Sequence, residues 1–510
     1  MPVWDRRKFL SLSATASVPL FTDLGFLAPL SQLTAAEPSF DPAVLDGSDD
    51  LLKLVNMIRE TPREKCVPVF VAQLRDGLSY QQFLAALFLA SLSHGDPHQV
   101  AQVYSAQRVG DEVRMEERLL PLFWVLDRLA LGFEQEPDRT FKSIDAGNNW
   151  SLGTEDSLRD AQERLDPTRA EQAAILLSRA RGPRTAMIVL WEFCSRRAGG
   201  TLGHNPIVLA NAWRTLEAIG WRHAEPVLQY LAGGFAANES DASYEPNRQL
   251  VAKCVAKLPA GWTQGEADQG ATRELYAVLR QGNHQPVCEF ICSQLQAGKL
   301  NAMEVWDAIH LTAADLLVRY KNGGNLIGGV LVHAVTATDA LRFGFNCTGL
   351  DRARLLMMLQ AVAMLDGTFI APAKRDNQLR NLNLLDLSTD PSDTTVDVAA
   401  VFQLLPMKDF LYEQKSVDER TGSDQACSAA FALMQKGENV RLFLQTARRL
   451  MCVKASVDPH DMKYPAAAFD DAFMASSTWL PYLLASTVHA LHGPRSADSA
   501  SLIQAREALG

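Results

Sequence analysis

The sequence predicts an all-α, multi-helical fold in which antiparallel helix pairs pack around a central site. Three observations carry that expectation. Apolar residues recur at three- and four-residue intervals through most of the chain. Alternating runs of the strand type are scarce, and Gly, Pro, Asn and Asp punctuate the periodic runs at short range. With 510 residues, 47% of them hydrophobic, the chain is long enough for one large core or several smaller ones.

Taken in order, residues 1–36 stand apart from the fold. Arg6 and Arg7 precede Phe9–Leu10 and a moderately apolar stretch, and small residues from Thr34 to Ala36 meet Glu37–Pro38. A positive region, an apolar region and a small-residue junction read as a signal peptide. The paired arginines before Lys-Phe-Leu resemble a twin-arginine signal, although Asp5 and Asp23 depart from the usual pattern. That resemblance implies export to the periplasm through the export machinery. The remainder, 37–510, is expected to form one helical body. A seam rich in Gly, Asn, Asp and Pro at 236–268 marks two candidate halves, 37–265 and 266–510.

Within that body, the runs 79–93, 118–134, 206–220, 304–320, 352–365 and 440–451 all have helical periodicity. Asp96-Pro97 and Asp458-Pro459 have the chemistry of a cap followed by a first helical residue, and Asn205-Pro206 repeats it. The polar, turn-rich stretches 371–398 and 413–426 are expected to be surface loops.

Charge and composition narrow the partners. The net charge is −10 and the pI about 5.6, with no basic block, which argues against nucleic acid and anionic membrane surfaces. The body has no run of eighteen apolar residues, so no internal membrane span is expected. The eight cysteines are scattered and read as small buried hydrophobes.

Only ten histidines occur. His98, His204 and His460 fall at predicted helix starts, where the positive end of the helix dipole disfavours imidazolium. A neutral imidazole is the form that binds a metal. His333 sits in an aliphatic run, with Thr336 one turn on, and must hydrogen-bond or coordinate there. Lys463 shares a face with His460, one turn away. If buried it favours the neutral amine, which can act as a base, form a Schiff base, or take up carbon dioxide as a carbamate. The ordinary alternatives are capping and core histidines and a lysine that snorkels to water. His94, His223 and His310 compete for the same roles.

Three segments resemble the questin oxidase-like family. "GHNPIVLANAWRTL" is similar to its Gly-x-x-His-Pro helix start, "LVHAVTATDAL" to its His-Ala-Val-Thr helix, and "PHDMK" to its His-x-x-Lys element. His98, with Tyr104 on the same helix, stands where the family has its first histidine helix. The resemblance implies a mainly helical oxidoreductase in which one non-haem Fe(II) is held by His98, His204, His333, His460 and a carboxylated Lys463. Five protein ligands on an octahedral ion leave one position for dioxygen or for a small-molecule substrate. Thr336 and Tyr104 are expected to position oxygen or substrate. An exported iron oxygenase acting on an unidentified small molecule, aromatic if the resemblance extends to the substrate, is thus the leading expectation. The alternatives are a zinc hydrolase with a carboxylated lysine, using Asp458 or Asp461, and a helical scaffold without catalysis.

Overall fold

The computed structural model describes residues 25–27, 49–137, 142, 144–237, 239–321, 331–388, 397–407, 417–435, 437 and 439–509. Among the described residues the regular structure is helical, apart from one antiparallel bridge between Tyr320 and Leu379. The signal-peptide expectation lies outside them, except for a single 3-10 turn at Gly25–Leu27.

Nine helices position the site: α1 (Tyr80–His94), α2 (Pro97–Gly110), α3 (Leu120–Gln135), α4 (His204–Ile219), α5 (Ala302–Arg319), α6 (Val332–Cys347), α7 (Asp351–Met364), α8 (Val440–Lys454) and α9 (His460–Met474). Their starts follow from local chemistry. Ser79 and Gln82 exchange hydrogen bonds in a capping box that opens α1, and Asn301 and Glu304 do the same for α5. Asp96 accepts from the His98 amide, and Pro97 takes the first position of α2.

The centre is a closed ring of four helices. α2 packs on α4, α4 on α6, α6 on α9, and α9 back on α2. α1 and α3 cover α2, α5 and α7 cover α6, and α8 covers α9. Antiparallel pairing does not describe this ring. Its members touch first-turn to first-turn at the histidines, then further along through Asn211–Ala101, Tyr104–Asp470, Arg108–Asp470 and Arg214–Asp339. All four therefore run in the same direction, with their positive ends together. The antiparallel pairs lie outside it: the α1–α2 hairpin sets Gly110, at the end of α2, against the Tyr80 hydroxyl at the start of α1.

Both candidate halves contribute two helices to the ring, and one hydrophobic cluster runs from Leu27 to Ala505. The 236–268 stretch itself contains a helix, Tyr244–Cys254. α7 continues through a π-helical turn, Leu365–Ile370, into Ala371–Arg375. By length and composition this run could cross a membrane. However, 78% of its apolar window is buried, as expected for the central helix of a packed body.

Three local expectations are corrected. The segment 413–426 is not wholly a loop, because Val417–Gln435 is helical. The stretch 371–398 likewise begins as helix, at Ala371–Arg375. Asn205 does not cap α4: the helix starts one residue earlier, at His204, behind Gly203 in the left-handed conformation at φ 77°. A side chain at Gly203 would place its Cβ 2.2 Å from that of Ala337, so the glycine permits both the turn and the close approach of α4 to α6. All eight cysteines are free, and all but Cys347 are buried.

Candidate metal centre

Each ring helix delivers one histidine from its first turn. His204 and His460 are the first residues of α4 and α9, and His98 and His333 are the second residues of α2 and α6. Because the four helices are parallel, the imidazoles converge at one end of the ring. His333 Nε2 lies 3.1 Å from His204 Nε2 and 3.3 Å from His460 Nε2. The His98 ring centroid is 4.5 Å from that of His204 and 5.1 Å from that of His460. One ring nitrogen from each of His98, His333 and His460 lies within 4.8 Å of the others. Lys463, one turn into α9, places Nζ 2.7 Å from His98 Nδ1. All five side chains singled out in the sequence thus meet, although they span 365 positions of chain.

The electrostatics favour uncharged donors. Burial, reinforced by Lys463, depresses the His98 and His460 imidazoles well below their usual range and takes His204 down to about 4. Burial likewise lowers the Lys463 ammonium from 10.5 to about 7, with Asp458 and Asp96 opposing and Arg128 assisting. Four positive helix ends act in the same direction, disfavouring protons and favouring negative charge. The site therefore presents nitrogen lone pairs near neutrality, as metal binding requires.

A second layer orients the cluster. Asp458 Oδ1 accepts the His460 backbone amide at 3.0 Å and lies 2.7 Å from His460 Nδ1, leaving Nε2 directed at the other rings. Asp461 faces elsewhere: Oδ2 accepts from the Ser456 amide and Oδ1 lies 3.0 Å from His492 Nε2. The competing histidines are also placed elsewhere. His94 packs edge-on against Phe133, His310 pairs with Asp471 beside Trp306, and His223 belongs to the turn Trp221–His223.

Below the histidines, inside the ring, is a small chamber of about 10 Å³, room for about one water-sized group. All four helices line it: Tyr104 and Ser105 from α2; Ile207, Asn211 and Arg214 from α4; Thr336 and Asp339 from α6; Lys463, Ala466 and Ala467 from α9. Lys463 therefore stands between the imidazoles and the chamber. Arg214 and Asp339 form a two-point ion pair at 2.8 and 3.0 Å, and the Tyr104 hydroxyl donates to Asp470 at 3.2 Å. Thr336 Oγ1 is buried and has no hydrogen-bond partner among the described residues.

Asn211, Arg214 and Asp339 were not anticipated as site residues. A signal for them exists in the sequence. Asn211 follows His204 by seven residues, two turns on along the same helical face, while Arg214 (ten after His204) and Asp339 (six after His333) flank that face. Polar side chains on the histidine face of an otherwise apolar helix mark an interior chamber.

Comparison of the chain with protein-family models, with curated proteins and with solved structures returned no match. The geometry of the site therefore carries the functional argument.

Proposed function

We propose that the chain is a metal-dependent oxidoreductase, a mononuclear non-haem iron oxygenase of the questin oxidase-like kind, exported through its twin-arginine-type leader. The observation that carries this reading is the convergence of His98, His204, His333, His460 and Lys463 on one point.

The donor set fits a transition-metal ion. Metal–imidazole bonds of ~2.1 Å place neighbouring donors of an octahedron ~3.0 Å apart. The spacings of 3.1 and 3.3 Å from His333 Nε2 to its neighbours are of that size. Nitrogen-rich donor sets suit Fe(II), Zn(II) or Cu(II) rather than Mg(II) or Ca(II). Fe(II) held there would supply the activation of dioxygen. The chain's own part is to hold the imidazoles of His98, His204 and His460 uncharged, to exclude bulk water from the inner side of the cluster, and to position oxygen or a substrate beside it. Thr336 offers a free hydroxyl to that substrate, and Tyr104, tied to Asp470, walls the same chamber.

Carboxylation of Lys463 is part of the proposal. A neutral amine is the form that takes up carbon dioxide, and burial brings that form within reach near pH 7. With Nζ 2.7 Å from His98 Nδ1, the modified side chain must withdraw toward the chamber to admit the added carboxyl group. The four positive helix ends would stabilise the carbamate anion.

The zinc-hydrolase alternative needs a carboxylate directed at the cluster. Asp458 instead supports His460 from behind, and Asp461 is engaged with Ser456 and His492. The scaffold alternative gives no reason for five nitrogen donors to be buried together, which costs several kcal/mol unless they are satisfied.

The test is metal analysis of the full chain produced with iron. About one equivalent of iron is expected, falling in His333→Ala and His460→Ala, with a mass increase on Lys463 of one carboxyl group. Less than about half an equivalent of any transition metal, unchanged in both variants, would sink the reading.

A further inference from the structure

A metal centre needs its donors held to a fraction of an ångström, yet all four histidines sit in first turns, where helices fray most readily. We infer that a polar layer about two to three turns below them keeps them in register. Its members are Asp339, Arg214, Tyr104, Asp470 and Arg108, which act as positioning residues for the metal centre. The inference rests on the proposed function only in naming a metal as what the histidines hold.

The layer is spaced with the histidines. Tyr104 follows His98 by six residues, and Asp339 follows His333 by six. Arg108, Arg214 and Asp470 follow His98, His204 and His460 by ten. At ~1.5 Å per residue they lie roughly 9–15 Å along the helix axes from the cluster. Every ring helix contributes, and these five residues bond between helices. Arg214 of α4 donates to Asp339 of α6 at 2.8 and 3.0 Å. Its guanidinium also lies over the Tyr104 ring of α2, 5.0 Å from the centroid. The Tyr104 hydroxyl donates to Asp470 of α9 at 3.2 Å, and Arg108 of α2 donates to the same carboxylate at 3.0 and 2.8 Å. Three junctions of the ring, α6–α4, α4–α2 and α2–α9, are thereby tied. Glu112, just past α2, carries the layer outward: it pairs with Arg108, and with Arg448 of α8 at 2.7 Å.

Burial decides what such a layer does. The Arg214 and Asp339 side chains are 9% and 3% exposed, and those of Arg108 and Asp470 are 14% and 15%. Attraction within a buried pair is largely offset by the cost of drying both charges, so the pair adds little to stability. Separating the partners is different, because each is then a bare buried charge. If α4 slid by one turn against α6, Arg214 would leave Asp339. The neighbouring apolar side chains of Ile207, Ala466 and Ala467 carry no such penalty for a shift. The layer therefore contributes register more than stability, and register is what places imidazoles from four separate helices on one point.

The test uses the full chain with Co(II) as the probe metal. Affinity is read by chelator competition, ligand geometry by the Co(II) absorption bands, and the fold by thermal unfolding of chelator-treated protein. Two variants are compared with wild type. Arg214→Met combined with Asp339→Leu removes a pair without leaving either charge bare, and Asp470→Asn keeps the shape while removing the charge. Both are expected to weaken Co(II) at least about tenfold and to change the bands, while the double variant unfolds at or above the wild-type temperature. Unchanged affinity and bands in either variant, or a metal loss that merely follows a lower unfolding temperature, overturns the inference. The imidazole Cε1–H resonances of the chelator-treated chain give a readout that needs no metal. Those of the four ring histidines should move in both variants, and that of His284, paired with Asp366, should not. If wild type takes up no Co(II), the oxidoreductase reading falls; moved ring resonances then keep the positioning layer, and unmoved ones end it. If the double variant does not fold, Asp470→Asn carries the same measurements.

Discussion

Replacing Lys463 by methionine should make the metal-free protein more stable, and by an amount that depends on pH. The amine is fully buried, and burial lowers its pKa from 10.5 to about 7. The folded pKa lies below the unfolded one, so the unfolded chain binds the extra proton between those two values. The resulting penalty on the fold is absent above about pH 10.5, grows as the pH falls, and is complete below about pH 7. A gap of ~3.5 in pKa corresponds to on the order of 4–5 kcal/mol at ~1.36 kcal/mol each. Methionine removes that penalty and keeps most of the packing volume. It also forfeits the 2.7 Å contact with His98 Nδ1, which returns ~1 kcal/mol. The expected net gain is roughly 3 kcal/mol at pH 7, shrinking toward zero or below by pH 10. The assay is urea unfolding of chelator-treated wild type and Lys463→Met at pH 6, 8 and 10. A variant that is less stable than wild type at pH 6, or a difference that does not change with pH, would refute the account of a buried, proton-penalised amine.

Other consequences are equally direct. Asp458→Asn leaves the shape of the support behind His460 but removes its negative charge, and should weaken metal binding by about 10–100-fold in a competition titration. Gly203→Ala forces a Cβ to within 2.2 Å of Ala337 at a residue with positive φ, so α4 must shift from α6; a loss of about 2–4 kcal/mol in thermal unfolding, together with reduced metal content, is expected. Because burial takes His204 down to about 4, bound metal should survive dialysis at about pH 5, where an exposed histidine site with ordinary pKa values near 6.5 releases it.

Much of the local structure was legible. The periodic runs at 79–93, 118–134, 206–220, 304–320, 352–365 and 440–451 correspond to α1, α3, α4, α5, α7 and α8. This follows because an apolar stripe at helical spacing has few other ways to be buried. Local reasoning failed where local chemistry was ambiguous. The polar stretch 413–426 contains good turn formers, yet from Val417 onward it is helical. Asn205-Pro206 looks like a cap and first residue, but Gly203 can adopt a left-handed turn that asparagine adopts less readily, so the helix begins earlier.

The site divides along the same line. The sequence by itself determined that three histidines open helices, that a fourth lies in an apolar run, and that Lys463 shares a face with His460, since these depend on spacing within one helix. Only the tertiary structure decided that those helices are parallel neighbours. The direction and order of helices in a ring depend on contacts between residues more than a hundred positions apart, such as Asn211 with Ala101 and Arg214 with Asp339. No local propensity encodes such contacts. The chamber belongs wholly to that second category, because a cavity is space left between surfaces and has no residue pattern until the surfaces meet.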